Sequence, residues 1–164
     1  MTAQEQAVQI HRVYIKATPQ AIWDAITKPE WTRKYGYTGL ADIDLRVGGK
    51  ARSVATPELV EMGSPEVLID GAVLELDPPR KLVLTWRMLM DPALQAEGFT
   101  RLTYEIEPTK TAGTRLTVTH DLSDAPGLAN LVAGGREDQG AGGGWSWVLS
   151  DLKSLLETGD TLAN

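Results

Sequence analysis

The chain has 164 residues, 42% of them apolar and 23% charged, with a formal net charge of −6 and no cysteine. That length carries one domain with a full-sized core, the missing cysteine excludes disulfides and thiolate sites, and net acidity without a basic cluster argues against nucleic acid. No apolar run approaches the roughly 20 residues that span a bilayer, and the opening MTAQEQAVQI puts glutamate and glutamine where a secretory signal carries positive charge and an apolar core, so a cytoplasmic protein is expected.

Residues 1–7 read as a loose tail. Residues 8–16 read as a strand with His11, Val13 and Ile15 on one face and Ile10, Arg12 and Tyr14 on the other. Thr18-Pro19 is a helix start: threonine accepts from a first-turn N–H, and proline fits the first helical position. The helix carries Ile22, Trp23 and Ile26, and Pro29 divides it from a second short helix bearing Trp31. KYGYTGL, residues 34–40, is a loop whose Tyr35 and Tyr37 join Trp31 as candidates for a cavity mouth or a subunit contact.

Six strands are expected next, over residues 42–45, 50–56, 66–77, 81–90, 99–107 and 114–121. Gly48-Gly49 marks a hairpin turn, and residues 57–65 an excursion at the sheet edge. Asp91-Pro92 is a capped turn or a short helical lid. Residues 125–135 read as a mixed segment with a helical turn leading into the last helix. GAGGGWSWVLSDLKSLLETG, residues 140–159, ends the pattern. Trp145, Val148, Leu149, Leu152, Leu155 and Leu156 recur at three- and four-residue spacing on one helix face, with Ser150, Asp151, Lys153, Ser154 and Glu157 on the other. One strand, two short helices, six strands and a long helix define an α+β fold: a single curved antiparallel sheet with its helices on one face. A domain over residues 8–159 is expected.

Period-two phase assigns the faces. Leu82, Leu84, Trp86, Met88 and Met90 share one, as do Thr100, Leu102, Tyr104 and Ile106, and Leu116, Val118 and His120. In the 66–77 strand the inward set is Leu68, Asp70, Ala72, Leu74 and Leu76, unless a bulge at Gly71 shifts the phase. The polar exceptions are His120, Asp70, Tyr104 and His11. His120 reads either as a satisfied residue near a strand end or as a polar group projecting into a ligand cavity, with general acid or base work a third reading. Trp86 and Met88 are of the kind that line apolar pockets as readily as they fill cores. Two histidines and no cysteine leave no three-histidine metal site. No HExxH, CxxC, P-loop or GxSxG motif occurs, and neither a metal nor a cofactor is expected.

These stretches carry a family likeness. ATPQAIWDAIT, DLRVGG, GAVLELDPPRKLVLTW and TRLTVTH, followed by GW and the leucines of residues 149–156, stand in the order found in the START-like, or SRPBCC, superfamily. More narrowly, the chain resembles the branch named after the homologue of the activator of the heat-shock protein ATPase. The resemblance implies a helix-grip fold, in which a curved antiparallel sheet wraps a long C-terminal helix around a deep cavity. It implies no shared catalytic set. Members include lipid and hormone carriers and aromatic cyclases, so a hydrophobic or aromatic small molecule is the expected partner. Trp86, Met88, Tyr104, His120, Trp145, Leu149 and Trp31 are the expected ligand-binding residues. Two alternatives stand beside this. One is a cavity enzyme of cyclase or hydrolase type using His120. The other is a protein-partner or stress-assistance role, and a homodimer is compatible with any of them.

Overall fold

The computed structural model describes residues 7–139 and 142–162. Residues 1–6 of the tail expected over residues 1–7, and the glycine at position 140, lie outside them. Strand β1 (Val8–Ile15) leads into α1 (Pro19–Thr27) and α2 (Pro29–Thr32). Thr18 caps α1 by accepting from Ala21 N–H at 3.1 Å, and Pro29 separates the two helices as its fixed φ and missing N–H require. The sheet continues with β2 (Leu40–Ile43), β3 (Ala51–Val54), β4 (Val67–Asp70), β5 (Val73–Asp77), β6 (Lys81–Met88), β7 (Thr100–Pro108) and β8 (Thr114–Asp121).

Three short helices sit in the connections: α3 (Pro57–Glu61), α4 (Pro92–Gln95) and α5 (Pro126–Val132). The excursion expected at 57–65 thus contains a helix, capped by Thr56. Asp91 caps α4 by accepting from Ala93 N–H, and Leu94 of that turn is buried. A 3₁₀ turn (Glu137–Gln139) precedes the last helix, α6 (Gly144–Thr158), which ends at Gly159 in the left-handed region.

All described strand pairings are antiparallel, in the order β1-β8-β7-β6-β4-β3-β2, with β5 also on β6. The single strand expected over residues 66–77 is two. β4 and β5 follow one path between β3 and β6, interrupted at Gly71. A side chain there would put its Cβ 1.8 Å from the Thr85 carbonyl oxygen. The interruption changes the inward set in part: Leu68 stays buried and Leu76 stays on the core side as expected, while Asp70 and Leu74 do not. Ile69 pairs with Met88, Val73 with Leu84 and Leu76 with Leu82, so these face the core side. Leu74 is exposed. Asp70 pairs with Arg87 on the outer face and accepts two hydrogen bonds from its guanidinium, at 3.0 and 2.7 Å.

The core lies between the sheet's inner face and the helices. Ile22, Trp23 and Ile26 of α1, Leu82, Leu102, Ile106, Leu116 and Val118 of the sheet, and Trp145, Leu149 and Leu152 of α6 form one cluster. Full burial of each such aliphatic side chain contributes about 1.5–3 kcal/mol. On β1 the outer face is open: Val8, Ile10 and Tyr14 are exposed.

Candidate functional site

Strands β6, β7 and β8 and helix α6 bring together four aromatic rings. Trp145 enters from the first turn of α6, with ring centroids 6.4 Å from Trp86, 6.2 Å from Tyr104 and 6.0 Å from His120. Trp86 and His120 meet edge to face at 5.1 Å. The register explains the grouping. Leu102 is the cross-strand partner of both Leu84 and His120, and Tyr104 is that of Leu82 and Val118, so the inner faces of the three strands coincide.

His120 is completely buried and its hydrogen bonds fix its tautomer. Trp145 Nε1–H donates to Nδ1 at 3.1 Å. An indole nitrogen can only donate, so Nδ1 carries no hydrogen and Nε2 carries it. Nε2 lies 2.8 Å from Thr100 Oγ1, whose own hydrogen goes to the Trp86 carbonyl oxygen at 2.7 Å. Donation therefore runs from Trp145 to His120 to Thr100 and ends at the Trp86 carbonyl, which accepts. Burial pushes the imidazole pKa down to about 3, with a smaller contribution from His11, and a second ring proton would face the Trp145 donor. His120 is neutral at pH 7, with no ring atom open to a reactant. The satisfied-residue reading describes it. What it does is hold Trp145 against Trp86.

Tyr104 differs. It lies deep enough that desolvation raises its pKa above the ordinary phenol value, yet it keeps accessible surface. Among the described residues its hydroxyl has no hydrogen-bond partner and is not a fully buried atom. Tyr35 sits close enough to feel it electrostatically, but the Tyr35 hydroxyl donates to the Ala25 carbonyl at 2.8 Å.

The remaining expected residues divide. Trp86, Met88 and Trp31 are half-buried and pack against the core, and Lys34 Nζ lies 4.5 Å from the Trp31 ring centroid. Leu149 is core, 4% exposed. It also backs a surface groove of about 340 Å³ between β1 and α6, lined by Ile10, His11, Arg12, Val13, Ser146 and Ser150 as well. His11 therefore opens to that groove, and Asp70 belongs to the outer face with Arg87; neither joins Tyr104. Tyr37 stacks on Trp147 at 5.5 Å and stays exposed, so the loop's two tyrosines point apart.

Thr100 and Asp151 are the polar groups that strand and helix phase left without a role. Asp151 is 1% exposed, against its expected place on the solvent side. Its carboxylate accepts from Gly36 N–H at 2.9 Å and Leu162 N–H at 2.7 Å, tying the 34–40 loop and the C-terminal segment to α6. The signal was present: Val148, Asp151 and Leu155 are spaced three and four apart, on the buried stripe.

A curved antiparallel sheet closed over one long C-terminal helix, with aromatic side chains between them, is a helix-grip domain. Residues 16–157 match the family described as Activator of Hsp90 ATPase homolog 1-like protein, and the chain belongs to that family. No protein with a curated description matches it. Several solved structures share the fold. Protein MLL2253 from Mesorhizobium loti is 22% identical over 91% of this chain and 96% of its own, with a TM-score of 0.64. The Aha1 dimer from Colwellia psychrerythraea is 21% identical over 93% and 97%, at 0.61. PFC0360w, an Hsp90 activator from Plasmodium falciparum, is 23% identical over 71% and 73%, at 0.53.

Proposed function

We propose that this protein holds a hydrophobic or aromatic small molecule between the sheet and α6, with residues 8–159 acting as one binding unit. The supporting observation is that Trp86, Met88, Tyr104, Trp31 and Val148 pack against the core yet keep accessible surface. Side chains that only fill a core are covered on all sides; a lining keeps one side open. In this reading Trp86, Met88, Tyr104, Trp145 and Trp31 touch the ligand, and His120 acts through Trp145. Catalysis by His120 draws no support from a neutral ring with both nitrogens engaged. A homodimer is proposed alongside, because the outer face of edge strand β1 exposes Val8, Ile10 and Tyr14 and a relative of the same fold is an Aha1 dimer. No helix among the described residues is long and apolar enough to cross a membrane, which is compatible with the cytoplasmic location we propose.

Titration with Nile red, read as quenching of tryptophan emission, is expected to saturate at one site per chain. A saturating ligand at a hundred times its Kd adds about 2.7 kcal/mol, which raises Tm by roughly 5–10 °C for a chain of this size. A linear, unsaturable titration with no change in Tm would remove the binding reading.

A further inference from the structure

The hydrogen-bonding capacity left open beside the aromatic rings narrows the ligand's chemistry. We infer that the site selects an uncharged aromatic or alicyclic molecule bearing a hydrogen-bond acceptor, such as a ketone, with Tyr104 as the donor that orients it. The inference rests on the binding reading above and deepens it.

The argument is an inventory of the polar groups on the inner face. His120 has both nitrogens engaged, Trp145 donates to it, and Tyr35 donates to the Ala25 carbonyl. Among the described residues, Tyr104 Oη and Trp86 Nε1 have no partner, and neither is sealed from solvent. Ser53 adds a third neutral group, placed inward by its pairing with Ile69 and, through Ile69, with Met88. Its Oγ likewise has no partner among the described residues. An indole N–H only donates, and a phenol whose ionisation is suppressed by burial stays a donor. The open positions therefore favour an acceptor on the ligand.

Charge is the second part of the inventory. The arginines of the inner strands turn outward: Arg52 pairs with Asp42 at 2.7 Å and Arg87 with Asp70. The buried charge that Tyr35 feels is the Asp151 carboxylate, and both its oxygens already accept backbone N–H groups. A carboxylate ligand would feel that negative charge at low dielectric, while the Lys34 ammonium is engaged over the Trp31 ring. A ligand cation would find the Asp151 oxygens taken and donors in place of acceptors.

Equilibrium dialysis of the intact protein against 2-acetylnaphthalene, 2-ethylnaphthalene and 2-naphthoate separates the possibilities. The ketone is expected to bind about fivefold more tightly than the hydrocarbon of similar shape, the gain of one neutral hydrogen bond. The carboxylate is expected to bind more weakly than either. Tyr104→Phe keeps the ring and is expected to abolish the preference, so that ketone and hydrocarbon bind alike. Trp86→Phe, made in parallel, is expected to weaken ketone and hydrocarbon alike and to keep the preference between them. Equal binding of ketone and hydrocarbon by the unaltered protein, or a preference that survives in Tyr104→Phe, overturns the donor assignment and leaves the binding reading standing. Tightest binding of 2-naphthoate overturns the charge argument. Binding of none of the three overturns the binding reading and this inference with it.

Discussion

His120 and Tyr104 lie on neighbouring strands, face the same side and have opposite chemical situations. Each nitrogen of His120 meets a group of fixed polarity, so the ring is locked neutral. The fold excludes its proton: the folded pKa is near 3, against about 6.5 for an unperturbed histidine. Between those values the unfolded chain binds a proton that the folded chain does not, so the contribution of His120 to stability falls as pH drops below about 6.5. The expected slope is about 1.4 kcal/mol per pH unit for one proton. His120→Ala should cost about 2–3 kcal/mol at pH 7, from the cavity and the orphaned Trp145 N–H, and the difference from the unaltered protein should shrink on going to pH 5. Urea unfolding of both proteins at the two pH values measures it; a difference that does not change with pH would show that His120 takes up its proton in the folded state. The sequence pointed to His120 because a polar residue stood on an apolar phase. It gave Thr100 no such prominence, since Thr85, Thr103, Thr117 and Thr119 alternate through the same strands and nothing local marks the one that closes the network.

Helix α6 starts where two backbones nearly touch. Gly144 has φ of +69°, and a Cβ there would lie 2.1 Å from the Val132 carbonyl oxygen at the end of α5. Glycine at the head of α6 leaves room for that backbone. Gly144→Ala combines a left-handed penalty with a clash that neither backbone can relieve by rotation. It is expected to cost about 3 kcal/mol or more. Gly159→Ala, also left-handed but with open space around it, is expected to cost about 1 kcal/mol. Thermal unfolding of the pair separates conformation from contact; equal losses would mean that the α5 contact adds nothing. Helix boundaries were legible because proline and threonine mark them chemically, at Thr18-Pro19, Pro29 and Asp91-Pro92. The break between β4 and β5 was legible only as an option. Gly71 announces an irregularity, but the side to which each following residue turns depends on the Thr85 carbonyl across the sheet, which no local pattern encodes.

For the molecule as a whole, the fold was readable because strand phase, turn glycines and the apolar stripe of α6 agree with one another. The candidate site was readable only as a set of inward faces. Which of those residues meet one another depends on the curvature and register that bring Trp145 onto Trp86 and His120. The exposed outer face of β1 leads to the proposal at this scale: light scattering at micromolar concentration is expected to give twice the 17.8 kDa of one chain, and the monomer mass at every concentration would remove the dimer. At the far end of β1, Lys153 Nζ donates to the Tyr14 carbonyl and Glu157 accepts from the Lys16 N–H, both at 2.7 Å. The first strand is thus paired by the last strand and clamped by the last helix. During translation it emerges first and finds its neighbours last. At about 5–20 residues per second, residues 8–15 wait on the order of ten seconds for β8 to be made, and longer for α6. A nascent chain of this protein therefore carries an unpaired β strand, Ile10 and Tyr14 included, until β8 has been made.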